Sequence, residues 1–130
     1  MGTNRTVFAI LLAALAMLGP FSIDTYMPSF PDIGRTFGAS AFELQFTISS
    51  FLATFAVMAL FHGALADSFG RRPVILFNLV IFVVASAGCA LASAFNQLLW
   101  FRALQGLAGG AGLIVGRAMI RDSFAGDEAQ

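Results

Sequence analysis

Gly63-Ala64-Leu65-Ala66-Asp67-Ser68-Phe69-Gly70-Arg71-Arg72-Pro73 is a short charged turn set between two long apolar runs. In water those runs would have nothing to cover them, because apolar surface of that extent must leave the solvent. Glycines, one aspartate and paired arginines between such runs read as the turn between neighbouring transmembrane helices. The basic pair then marks the cytoplasmic side.

Working outward, the composition agrees. The chain has 130 residues, 58% hydrophobic and only 11% charged, whereas soluble domains carry about 25% charged residues. So few charges cannot clothe a water-facing surface, and a lipid bilayer is the expected surroundings. At about 20 apolar residues per span, the length accommodates an all-α membrane protein of four transmembrane helices and no soluble domain. Net charge is zero, which gives no bulk attraction to nucleic acid. Cys89 and His62 each stand alone, so neither a disulfide framework nor a His/Cys metal site is expected. With the carboxylates scattered over loops and ends, no catalytic constellation forms, and an enzyme is not expected.

The first span is expected over residues 6–26, uncharged from Val7 to Ile23 and ended by Pro28 and Pro31, since proline lacks an N–H and restricts its predecessor. A polar loop is expected over 32–40. Ser40-Ala41-Phe42-Glu43 fits a capping box opening the second span, 41–66. Pro73 suits the first turn of the third span, 73–95; the fourth is expected over 97–119. With the N-terminus inside, Arg5, Arg71, Arg72, Arg117 and Arg121 gather on the cytoplasmic side and only Arg35 lies outside. Tyr26 and Trp100 then both meet the outer interface, where amphipathic rings are favoured. A retained first helix, rather than a cleaved signal peptide, fits this arrangement.

Two charges inside apolar helices are the candidates for chemistry. Asp24 closes the first span: it either ends the helix at water or serves as a cavity carboxylate that exchanges a proton. Arg102, within the fourth span, either snorkels to the interface or faces inward and organises a polar cavity, with Asp24 as a candidate partner. Gly106/Gly110 and Gly112/Gly116 have the small-xxx-small spacing that brings membrane helices close. In the second span Thr47, Ser50 and Thr54 form a hydroxyl-bearing face and possible cavity wall, while Phe51, Phe55 and Met58 are assigned to another face. Asn78, alone in the third span, is expected to hydrogen-bond between helices.

Three segments together resemble the major facilitator superfamily. Gly63-x-x-x-Asp67-x-x-Gly70-Arg71-Arg72 resembles its loop between helices two and three, with Ser68 where the family is usually basic. Leu98-x-x-x-Arg102-x-x-Gln105-Gly106 resembles the helix-four motif of its proton-driven antiporters. Ile23 to Pro31 and Arg117 to Asp122 are similar to the bicyclomycin/chloramphenicol resistance (Bcr/CflA) branch. The resemblance implies the first third of a twelve-helix fold with two six-helix halves around a central cavity. Gly63, Asp67, Gly70, Arg71 and Arg72 would then form a cytoplasmic gating loop, with Arg102 and Gln105 tied to proton coupling. It implies the N-terminal portion of a proton-coupled exporter of drugs or small amphiphiles in a bacterial inner membrane, with both termini cytoplasmic. The proton gradient would supply the energy, without a cofactor. Such a portion is expected to be inactive alone, needing missing transporter helices or a dimer partner. Two alternatives are a four-helix small multidrug exporter acting as a dimer and a non-transporting membrane assembly protein.

Overall fold

The computed structural model describes residues 2–125, with side chains described from 5 to 123. Helix α1 spans Gly2–Tyr26; a 3₁₀ turn at Met27–Ser29 leads into α2, Phe30–Phe37. Helices α3 (Ala41–Phe69), α4 (Arg71–Leu91) and α5 (Phe95–Ala125) complete the chain. Four stretches are long and apolar enough to cross a membrane, α1 and α2 forming one continuous stretch. The protein is a multi-pass membrane protein of the all-α class.

Local chemistry explains most of the boundaries. Pro28 and Pro31 each sit in the first turn of a new element, where a missing N–H costs nothing. They redirect the chain without dissolving it: the expected polar loop over 32–40 is corrected to the helix α2, followed by a short connection. Arg35 bridges to Asp32 at 2.6 Å one turn away, and Gly38 closes α2 at φ 62°, a left-handed turn that glycine adopts without strain. The capping box at Ser40 forms as expected. Ser40 Oγ accepts from the Glu43 N–H at 3.2 Å, and the Ser40 N–H donates to Glu43 Oε2 at 2.8 Å.

The break between α3 and α4 is a single residue, Gly70 at φ 91°. Residues Gly63 to Phe69 belong to α3, and Arg71 already belongs to α4. The third span stops at Leu91, not at Phe95: the Gln97 side chain folds back to accept from the Ser93 N–H at 3.1 Å, so Phe95 opens α5.

Helix α5 is the centre of the bundle. In its most apolar stretch 56% of residues are buried, against 17–28% for the other three spans, and it packs on α3, α4 and α1. Its small residues make this possible. A Cβ at Gly106 would strike the Phe51 carbonyl of α3, and one at Gly112 would strike the Leu15 carbonyl of α1. Beside Gly106, Thr54 Oγ1 donates across the interface to the Ala103 carbonyl at 2.7 Å. Gly110 and Gly116 have ordinary contacts, 3.5 Å to His62 and 3.8 Å to Leu12. Replacing Gly106 with Val is expected to cost about 1–3 kcal/mol through overpacking and to lower the thermal unfolding midpoint in detergent. Gly116→Ala should leave it nearly unchanged. Equal shifts for the two would remove Gly106 as the point of closest approach.

Candidate functional site

Arg102 lies two turns into α5 and is only 2% exposed. It does not snorkel. Its guanidinium lies between two rings, with Cζ 4.1 Å from the Tyr26 centroid and 4.7 Å from that of Phe51. Nη1 donates to Ser22 Oγ on α1 at 3.1 Å and to Gln105 Oε1 one turn along α5 at 2.6 Å. A guanidinium can only donate, so the Gln105 amide oxygen must face it and the amide nitrogen must point away. That nitrogen donates to Ser86 Oγ on α4 at 2.8 Å, and Ser86 donates to the Phe82 carbonyl at 2.7 Å. The result is a directed chain of donors running from Arg102 to the backbone of α4, with a branch to α1.

No acidic side chain pairs with Arg102 among the described residues. Removing a guanidinium from water costs several kcal/mol. Hydrogen bonds to a charged group contribute roughly 1.5–3 kcal/mol each, and each desolvated cation–π contact about 2 kcal/mol. Two of each are of the same order as the cost, so the charge can stay buried without a carboxylate.

Beside this group is a cavity of about 530 Å³ bounded by α1, α2, α4 and α5. Ser22, Tyr26, Ser86, Arg102 and Gln105 supply its polar edge, and Leu18, Phe21, Phe37, Phe82 and Leu98 are among its apolar walls. Asp24 does not border it. One residue advances a helix by about 100°, so Asp24 leaves α1 about 200° from both Ser22 and Tyr26, and its side chain is exposed. The expected Asp24–Arg102 pairing is therefore corrected: the α1 partner of Arg102 is Ser22.

The expected hydroxyl wall lies outside this cavity too. Thr47 is fully buried and donates to the Leu44 carbonyl of its own helix at 2.6 Å, Thr54 is bound to α5, and Ser50 is half-buried. Phe51 shares their buried face and does not form a separate one, because a four-residue step turns a helix only about 40° past a full turn. Ser22, Ser86 and the two rings were missed at the sequence level. The available signals were the Ser22/Tyr26 spacing of one helical turn and the Arg102/Gln105 pair.

A second buried polar pair joins α3 to α4. Asn78 Nδ2 donates to the Val74 carbonyl at 2.9 Å, which turns Oδ1 toward His62 Nε2 at 3.2 Å. His62 must then carry its proton on Nε2, and Asn78 has the interhelical role expected of it. At the Gly70 end, Arg71 pairs with Asp122 of α5 on a partly exposed surface, where an ion pair contributes at most about 1 kcal/mol. Asp67 and Arg72 are exposed, and a Cβ at Gly63 would meet nothing within 4 Å. No group of three or more potential metal ligands occurs among the described residues.

The profile of the Major Facilitator Superfamily matches residues 9–130. The chain belongs to that superfamily. Within it, the chain is 39% identical over 127 residues to an uncharacterised MFS-type transporter, YdgK of Bacillus subtilis, covering 98% of this chain and 32% of that protein. It is 41% identical over 119 residues to the multidrug resistance protein MdtL of Klebsiella pneumoniae, covering 92% and 30%. A bicyclomycin resistance protein homolog of Haemophilus influenzae is 33% identical over 122 residues, covering 94% and 31%. The chain thus spans about a third of the length of the curated relatives it matches. No solved structure gives a significant match.

The superfamily chain uses Gln105 as the joint between Arg102 and α4. Gln105→Leu is expected to cost about 1–3 kcal/mol, the penalty for leaving buried polar groups unpaired, and to lower the unfolding midpoint in detergent. Gln45→Leu, on an exposed position of α3, serves as the reference. A Gln105 effect no greater than the Gln45 effect would deny the joint any structural weight.

Proposed function

We propose that the chain is the N-terminal portion of a proton-coupled efflux transporter for drugs or small amphiphiles, inactive by itself. It operates in a bacterial inner membrane with both termini cytoplasmic, together with further transporter helices or a partner that supplies them. The observation that carries this reading is the buried Arg102, tied to α1 through Ser22 and to α4 through Gln105 and Ser86, at the edge of a largely apolar cavity. The relatives named for multidrug and bicyclomycin resistance support the substrate class.

In this reading Asp24 and Arg102 act from opposite faces of α1. Protonating Asp24 removes a negative charge two residues from Ser22, and the low dielectric of the membrane carries that change to the guanidinium held by Ser22. Proton uptake and the seating of α1 against α5 become linked. The proton gradient supplies the driving force, and rocking of transporter halves about a midplane site delivers the substrate outward. Gly63, Asp67, Gly70, Arg71 and Arg72 serve the cytoplasmic gate, where Gly63 and Asp67 leave a surface open for another helix.

The test joins residues 1–130 to the downstream two-thirds of MdtL and measures ethidium efflux from an efflux-deficient bacterial strain. The fusion is expected to export ethidium, an uncoupler to abolish export, and the 130-residue chain alone to show none. Asp24→Asn and Arg102→Ala are each expected to slow export at least about 10-fold, equivalent to about 1.4 kcal/mol on the limiting step. Uncoupler-resistant export, or full export by Asp24→Asn, would contradict proton coupling through this pair.

A further inference from the structure

Arg102 leaves part of its hydrogen-bonding capacity unused. Nη1 serves both Ser22 and Gln105, but Nε and Nη2 are buried with no partner, and so is the Tyr26 hydroxyl lying against the same guanidinium. Buried donors without acceptors are costly, and those on a cation most of all. The group that satisfies them together is an oxygen with several lone pairs and negative charge, because a guanidinium binds carboxylate and phosphate oxygens through paired N–H donors.

The surroundings narrow the choice. Tyr26 and Arg102 both border the 530 Å³ cavity, a volume within the ordinary range for small-molecule sites. Arg102 is the one charged residue in its wall, and Ser22, Ser86 and Gln105 already have partners. The remaining wall is largely apolar, with Leu18, Phe21, Ile33, Phe37, Phe82 and Leu98 in it. We infer that Arg102 and Tyr26 form an oxyanion subsite that takes the carboxylate or phosphate head of a single-chain amphiphile, whose apolar body fills the cavity. The inference rests on the reading of the cavity as a substrate site and adds an acidic head group to the substrate class.

Cys89 borders the same cavity and is the chain's one cysteine, so its alkylation by N-ethylmaleimide reports occupancy. The chain is held in dodecyl maltoside micelles, which contain no phosphate. Decanoate, decanol and decyltrimethylammonium are then compared at equal chain length. Decanoate is expected to slow alkylation at concentrations about 10-fold lower than the other two, equivalent to about 1.4 kcal/mol. Tyr26→Phe should reduce that preference, and Arg102→Gln should abolish it. Lysophosphatidylglycerol separates the sources: stronger protection than by decanoate assigns the subsite to a lipid head group, weaker protection to a soluble acid. Equal protection by the three decyl compounds in the unmodified chain would overturn the inference, whatever the folding of the variants. Because this assay reads binding without transport, its failure leaves ethidium efflux by the fusion standing, and failed efflux leaves the subsite standing.

Discussion

The absence of side chains at Gly106 and Gly112 is the constraint on which the arrangement depends. It brings the backbone of α5 against the Phe51 carbonyl of α3 on one side and the Leu15 carbonyl of α1 on the other. In a membrane the hydrophobic effect gives helices little reason to prefer one another over lipid, so close van der Waals contact and interhelical hydrogen bonds decide which faces meet. Thr54 reaches Ala103 because Gly106 lets the two helices come close enough. Arg102, one turn before Gly106, is set by the same approach between Phe51 and the ring of Tyr26.

From that placement the electrostatics follow. A guanidinium in the bundle interior has no water to solvate it, and the described residues offer it no carboxylate. It is held by polarisable rings and neutral oxygens, and each neutral oxygen comes from or leads to a different helix. Ser22 fastens α1, and Gln105 with Ser86 fastens α4. The His62–Asn78 pair makes a separate link, between α3 and α4, with its donor and acceptor roles fixed by the Val74 carbonyl. Polar contacts are few, but each spans an interface, which is where a hydrogen bond in an apolar medium has most influence on helix pairing.

This organisation suits a transporter element better than a sealed structural bundle. Helix α1 rests mainly on α5, joined by one close approach and one hydrogen bond, and it carries an exposed carboxylate on its other side. Membership of the major facilitator superfamily and coverage of about a third of the relatives' length place these four helices within a larger transport architecture.

Much was legible in the sequence because it depends on neighbours along the chain. Low charge and long apolar runs dictate four membrane helices. Ser40 and Glu43 dictate the start of α3 through a reciprocal cap, and Gly70 marks the break that only a residue tolerant of positive φ makes cheaply. The spacing of Gly106 to Gly116 also announces a packing face. What the sequence left open was the direction of each side chain around its helix and which helix stood opposite. Asp24 and Ser22 are near neighbours in the chain, yet the helical step sends them to opposite sides, and only the position of α5 decides that Ser22 meets Arg102. Thr47 and Phe51 share a face by the same step, and only the contact with α5 turns that face inward. The elements were local and could be read; the polar network is made between helices distant in sequence, and tertiary packing alone selects its partners.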